Sequence, residues 1–81
     1  MISIVVITYN RCELLKRTLI SILDQSFTDF EIILIDDGST DNTFEMIESL
    51  NDKRIRYINQ GRIGNLSKLR NIGILKSEKD S

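Results

Sequence analysis

The chain has 81 residues, 41% hydrophobic and 28% charged, with 11 basic against 12 acidic side chains and a net charge of −1. That is the composition of one small globular domain with a thin core, and the missing basic excess argues against a nucleic-acid-binding module. With no His and a single Cys, Cys12, these residues exclude Ser-His-Asp and Cys-His catalysis, a His-ligated metal and an internal disulfide. The first apolar run, Ile4-Val5-Val6-Ile7, is far too short to span a bilayer. No basic segment precedes it, so it does not read as a signal peptide. A lone Cys fits a reducing compartment, and the expected location is the cytoplasm or the cytoplasmic face of its membrane.

Residues 2–8 (ISIVVIT) are rich in β-branched side chains and apolar on both faces, as a buried parallel strand should be. Asn10 then predicts a helix cap, with Glu13 completing a capping box. Leu15, Leu19, Ile22 and Leu23 fall on one face of that helix, which should end near Gln25-Ser26. Residues 31–36 (EIILID) are a second continuous apolar strand. The turn Asp37-Gly38-Ser39 follows, and Ser39 or Asp41 can cap a second helix with Phe44, Ile47 and Leu50 as its apolar stripe. Residues 55–59 (IRYIN) read as a weaker third strand, and Gly61 to Asn65 as a loop. The last helix is expected over 66–76 with Leu66, Leu69, Ile72 and Gly73 toward the core, before a frayed polar tail over 77–81.

The pattern is βαβαβα. Two right-handed crossovers give a parallel three-stranded sheet, most simply of order 3-2-1, with the first two helices on one face and the third on the other. Ligands of such sheets bind beyond the carboxyl ends of the strands. Here those ends carry Thr8-Tyr9-Asn10 and Asp36-Asp37-Gly38-Ser39, which neighbouring strands should bring to one crevice. A Tyr ring offers a stacking face for a base. A carboxylate only accepts hydrogen bonds, so it selects a donor such as the N3–H of uracil or a ribose hydroxyl. Taken singly, each feature also has a plainer reading. Asp36 to Asp41 is a good turn and helix cap, Tyr9 a half-buried packing residue, Arg70 a solvated charge, and Lys53, Arg54 and Arg56 a solvated strand entrance.

Together, VVITYNR, QSFTDFEIILIDDGSTDNT and the later GN-SKLRNIGI resemble, in register over residues 2–75, the N-terminal part of family-2 glycosyltransferases of the GT-A fold. The resemblance implies that Thr8, Tyr9 and Asp37 contact the nucleobase of a nucleotide-sugar donor, usually a UDP-sugar. Asp36 and Ser39 would support the same turn, and Arg70, in the RN-x-G half of an ARN-x-G segment, would lie near the donor. It implies transfer of the sugar to an acceptor hydroxyl with inversion, in settings such as polysaccharide biosynthesis, and a divalent cation, Mg or Mn, on the donor diphosphate. The family's spaced D-x-D metal motif and its later carboxylate base do not occur in these residues. Residues 1–81 therefore read as the nucleotide-sugar-binding N-terminal part of such a domain, truncated before the D-x-D strand and inactive alone. No catalytic or metal-ligating residue is expected in it.

A non-catalytic nucleotide-binding or interaction domain retaining the half-fold is the alternative. A dinucleotide-binding module is disfavoured, because residues 8–13 contain no glycine and G-x-G-x-x-G is absent. Many family members carry Pro where this chain has Ile7. The missing fourth strand would pair with residues 2–8, whose open apolar edge predicts self-association into a homo-oligomer.

Overall fold

Ile32, Ile33 and Leu34 have no solvent-accessible surface, and they lie side by side in the middle of a three-stranded sheet. The computed structural model describes residues 2–26 and 29–76 in full, and the helical backbone of 77–79. Its elements are β1 (Ile2–Thr8), α1 (Cys12–Leu23), β2 (Phe30–Asp36), α2 (Thr43–Leu50), β3 (Ile55–Asn59) and α3 (Leu66–Lys79). All pairings are parallel and the order is β1-β2-β3, the architecture expected of an α/β half-fold. Ile2 pairs with Phe30 and Thr8 with Asp36, while Asp36 also pairs with Asn59. The carboxyl ends of all three strands thus reach one rim of the sheet.

Side-chain alternation divides the core into two layers. Phe30, Ile32 and Leu34 face α1 and α2, meeting Leu15, Leu19, Met46 and Ile47, with Ile4 and Val6 packed against them. Ile33 and Ile35 face α3, meeting Leu69, with Val5, Ile7, Ile58 and Ile72 around them. β2 is buried along its whole length because helices cover both of its faces. α3 approaches β1 through Gly73, where an added Cβ would stand 2.5 Å from Cγ1 of Val5.

Three local expectations are corrected. Asn10 does not cap α1, which starts after Arg11 without a side-chain cap of its own. Asn10 lies in the left-handed region at φ 48°, and its side chain is committed across to the next loop. On α2 the buried positions are Thr43, Met46 and Ile47, and Phe44 is exposed, its ring tilted against that of Tyr57. The core-facing side of the helix runs through Thr43, Met46 and Ile47, which leaves Phe44 at its margin. On α3, Leu69, Ile72 and Gly73 do face the sheet, but Leu66 in the first turn is exposed. That helix also runs to Lys79; residues 80 and 81 of the expected tail, and Phe27-Thr28, lie outside the described residues.

Candidate functional site

The loops after β1, β2 and β3 meet at the rim. The first two are clamped together by hydrogen bonds from both sides. The Asp37 amide donates to the Thr8 carbonyl at 2.9 Å. The Asn10 amide donates to Ser39 Oγ at 2.9 Å, and the Thr40 amide to Asn10 Oδ1 at 2.7 Å. The Cys12 amide donates to Asp41 Oδ2 at 3.3 Å. Asp41 also accepts from the amide and hydroxyl of Thr43, so one carboxylate serves the N-termini of α1 and α2, where helix dipoles favour negative charge. The Thr43 hydroxyl bond, then the amide bonds from Thr43 and Cys12, hold the Asp41 carboxyl below its ordinary range. The N-cap position of α2 is Asn42, without a side-chain cap bond, so neither expected cap holds it; Asp41, one residue earlier, accepts from both helix starts, and Ser39 accepts from Asn10.

Asp36 and Asp37 are consecutive residues with opposite directions. Asp36 points to the α1/α2 layer, where Oδ1 accepts from the Ser39 amide at 3.0 Å and Oδ2 from the Tyr57 hydroxyl. Burial first, and then the bond to Asp36, push the Tyr57 phenol up to about 12. Tyr57 therefore stays a donor, and Asp36 is a support of the turn rather than an open acceptor. Asp37 points to the α3 side, into the loop after β3. Its Oδ1 accepts from the amides of Ile63 at 2.5 Å and Gly64 at 3.2 Å, and its Oδ2 is ion-paired with the Arg62 guanidinium. The Ile63 amide, then the Gly64 amide and Arg62, lower its carboxyl from the ordinary value. Asp37 is 3% exposed, and it is ionised.

Arg62 joins the other half of the site. Its guanidinium carbon lies 3.7 Å from the centroid of the Tyr9 ring, so one planar cation stacks on Tyr9 and pairs with Asp37. Tyr9 is 38% exposed. Tyr9 and Asp37 do share a crevice, as expected from the strand order, and Arg62 fills it. Gly38 makes this approach possible. It has φ 75°, and a Cβ there would stand 2.7 Å from the Arg62 amide nitrogen. Its freedom serves the packing of its own chain.

Thr8, Tyr9, Asp36, Asp37 and Ser39 are thus gathered within one loop cluster. Arg70 is not part of it: it lies along an open groove of about 470 Å³ between β1 and α3, with Val5, Ile7, Leu66 and Ile74. Sequence reasoning missed Asn10 and Arg62. The signal for Arg62 was available, since β3 ends at the same rim as β1 and β2, and Gly61-Arg62-Ile63-Gly64 is a cation held between two glycines. Lys53 and Arg54 sit at the opposite end of β3, where Arg54 pairs with Asp52 at 2.9 Å and lies over the Phe30 ring.

Asp36 and Asp37 turn to opposite sides of the sheet, and among the described residues no three acidic, Cys or His side chains converge as ligands. The residues present do not fit a metal centre. The Cys12 thiol is pushed up by burial, and next by the Asp41 carboxylate, so it is no activated nucleophile. Among the described residues no helix is long and apolar enough to cross a membrane.

A three-stranded parallel sheet with helices on both faces and interlocked loops at its carboxyl rim defines an α/β protein. Residues 3–80 match the glycosyl transferase family 2 domain. The chain belongs to that family, and its fold is the N-terminal half of a GT-A domain. It is 40% identical over 76 residues, 91% of the chain, to the glycosyltransferase GlyG of Streptococcus pneumoniae. It is 43% identical over 67 residues, 79% of the chain, to the validoxylamine A glucosyltransferase of Streptomyces hygroscopicus. A further relative, at 43% over 58 residues and 69% of the chain, is the GalNAc(5)-diNAcBac-PP-undecaprenol beta-1,3-glucosyltransferase of Campylobacter jejuni. The aligned segments are 25%, 16% and 19% of those proteins, so the chain spans a quarter or less of these three relatives.

Proposed function

We propose that residues 1–81 are the donor-recognition part of a glycosyltransferase that moves a sugar from a nucleoside diphosphate, a uridine donor in the first instance, to an acceptor hydroxyl with inversion. The observation that carries this reading is the pairing, in one crevice at the carboxyl rim, of an accessible aromatic ring (Tyr9) with a buried ionised carboxylate (Asp37). A base that stacks and presents an N–H satisfies both. The names of two relatives, both glucosyltransferases, are in keeping with a nucleotide-sugar donor.

In this reading Tyr9 orients the base and Asp37 accepts its N–H. Thr8, Asp36, Ser39 and Asn10 hold the two loops in register, and Arg70 lies where the donor chain could extend along β1. A divalent cation would offset charge on the leaving diphosphate, and a carboxylate base would deprotonate the acceptor. The metal ligands and the base would be residues other than Asp36 and Asp37, whose carboxylates are already engaged. A cytoplasmic setting, where nucleotide sugars are at hand, goes with this role.

The test is equilibrium binding of UDP to the chain and two variants. Asp37→Ala should abolish detectable binding, whereas Asp41→Ala should retain it after correction for any unfolded fraction. Equal binding by Asp37→Ala and the parent chain would show that the base goes elsewhere.

A further inference from the structure

Arg62 has the chemistry of the ligand that its neighbours would recognise. A guanidinium is planar, stacks on aromatic rings and donates N–H groups in its own plane. A uracil is planar, stacks, and donates N3–H. Both satisfy the Tyr9 face and the Asp37 carboxylate, and the guanidinium occupies the two of them here.

The way the loop is held makes an exchange possible. Asp37 fastens the loop by the backbone amides of Ile63 and Gly64, independently of the Arg62 side chain. The Arg62 side chain is 54% exposed on a flexible stem. Its guanidinium can swing into solvent while the amides keep Asp37 ionised and in place.

We propose that Arg62 is a displaceable plug: it occupies the slot between Tyr9 and Asp37, and a base gains the slot only by exchanging it out. This rests on the nucleotide reading above and adds the group with which the base competes. The apparent affinity is reduced by the fraction of molecules whose slot is open. The guanidinium end of the pair is exposed to water, and the Ile63 and Gly64 amides stay on Asp37 when it leaves, so the plug is held loosely and the reduction is on the order of 10-fold.

Uridine is the probe of choice, because it is neutral and its own binding has little salt dependence. It is titrated into the 81-residue chain, Arg62→Ala and Arg62→Gln, with the Ile63 and Gly64 amide resonances reporting that the loop is intact. Both variants should bind uridine about 5- to 20-fold more tightly than the parent. Raising the salt should strengthen binding to the parent, as the Arg62–Asp37 pair is screened, and leave Arg62→Ala unchanged. Equal or weaker binding by both variants overturns the plug and makes Arg62 a support of the base. Absence of uridine and UDP binding from parent and variants alike, with the loop resonances intact, overturns the nucleotide reading and the plug with it. The two failures differ in whether the parent binds.

Discussion

Both oxygens of Asp37 face N–H donors from a loop 26 residues further along the chain, and this decides how the site responds to pH. The carboxyls of Asp37, Asp41 and Asp52 are all lowered in the folded chain, led respectively by the Ile63 amide, the Thr43 hydroxyl and the Arg54 side chain. A lowered folded value means stability that is present above the unfolded aspartate value of about 3.9 and lost as pH falls through the folded values. Urea midpoints should therefore be flat from pH 7 to about 5 and drop steeply below about 4. A midpoint unchanged down to pH 2 would contradict these bonds. Tyr57 has the opposite sign. Its raised value contributes stability that is complete below an ordinary phenol value of about 10, and that is lost as pH rises through about 12. Phenolate absorbance should show this tyrosine ionising only near that upper limit. Tyr57→Phe leaves Asp36 Oδ2 without its donor, and should cost about 1–3 kcal/mol in denaturant unfolding. Asp41→Ala removes the partner of two helix N-termini and should cost about 1–2 kcal/mol.

At the scale of elements, strands and topology were readable, because continuous β-branched runs admit few alternatives and right-handed crossovers fix the order. β1 and β3 have the expected bounds, and β2 begins one residue earlier, at Phe30. Helix detail was less readable. Asn10 has the sequence of a cap, yet its Oδ1 is taken by the Thr40 amide, a partner 30 residues away. Local patterns cannot rank a local bond against a distant one. The place of Arg62 after β3 was readable, but its contacts with Tyr9 and Asp37 were not, since they depend on how a distant loop folds back. The α3–β1 contact gives a sharp test. Alanine in place of Gly73 gains up to about 1 kcal/mol of helix propensity, but its Cβ would press on the stiff, branched Val5 side chain. Overpacking costs about 1–3 kcal/mol, so Gly73→Ala should lower the unfolding midpoint. Gly38→Ala should do so more severely, because its obstacle is backbone and its φ is positive. A stabilised Gly73→Ala chain would mean that α3 sits further from the sheet.

At the scale of the whole molecule, β1 and β3 are the two edge strands of the sheet, and β1 is the longer. The Ile2 amide bonds to the Asp29 carbonyl and the Thr8 carbonyl accepts from Asp37, so even-numbered residues of β1 turn their backbone groups to β2. Ser3, Val5 and Ile7 turn theirs outward, along an edge without charge or proline. Self-association of the 81-residue chain through β1 is expected in sedimentation, and Ile7→Pro should shift it to monomer without losing a β1–β2 bond. A stable monomer at high micromolar concentration would count against that contact. The central claim concerns the rim rather than the edge: one base stacks on Tyr9 with its N–H on Asp37. The direct measurement is the nuclear Overhauser effect between ligand and protein in the uridine complex. Cross-peaks from uracil H5 and H6 to the Tyr9 ring, with the Asp37, Ile63 and Gly64 amides shifting alongside, are the predicted result. Contacts to Val5, Leu66 or Ile74 in the groove beside α3, with Tyr9 and Asp37 undisturbed, would contradict it.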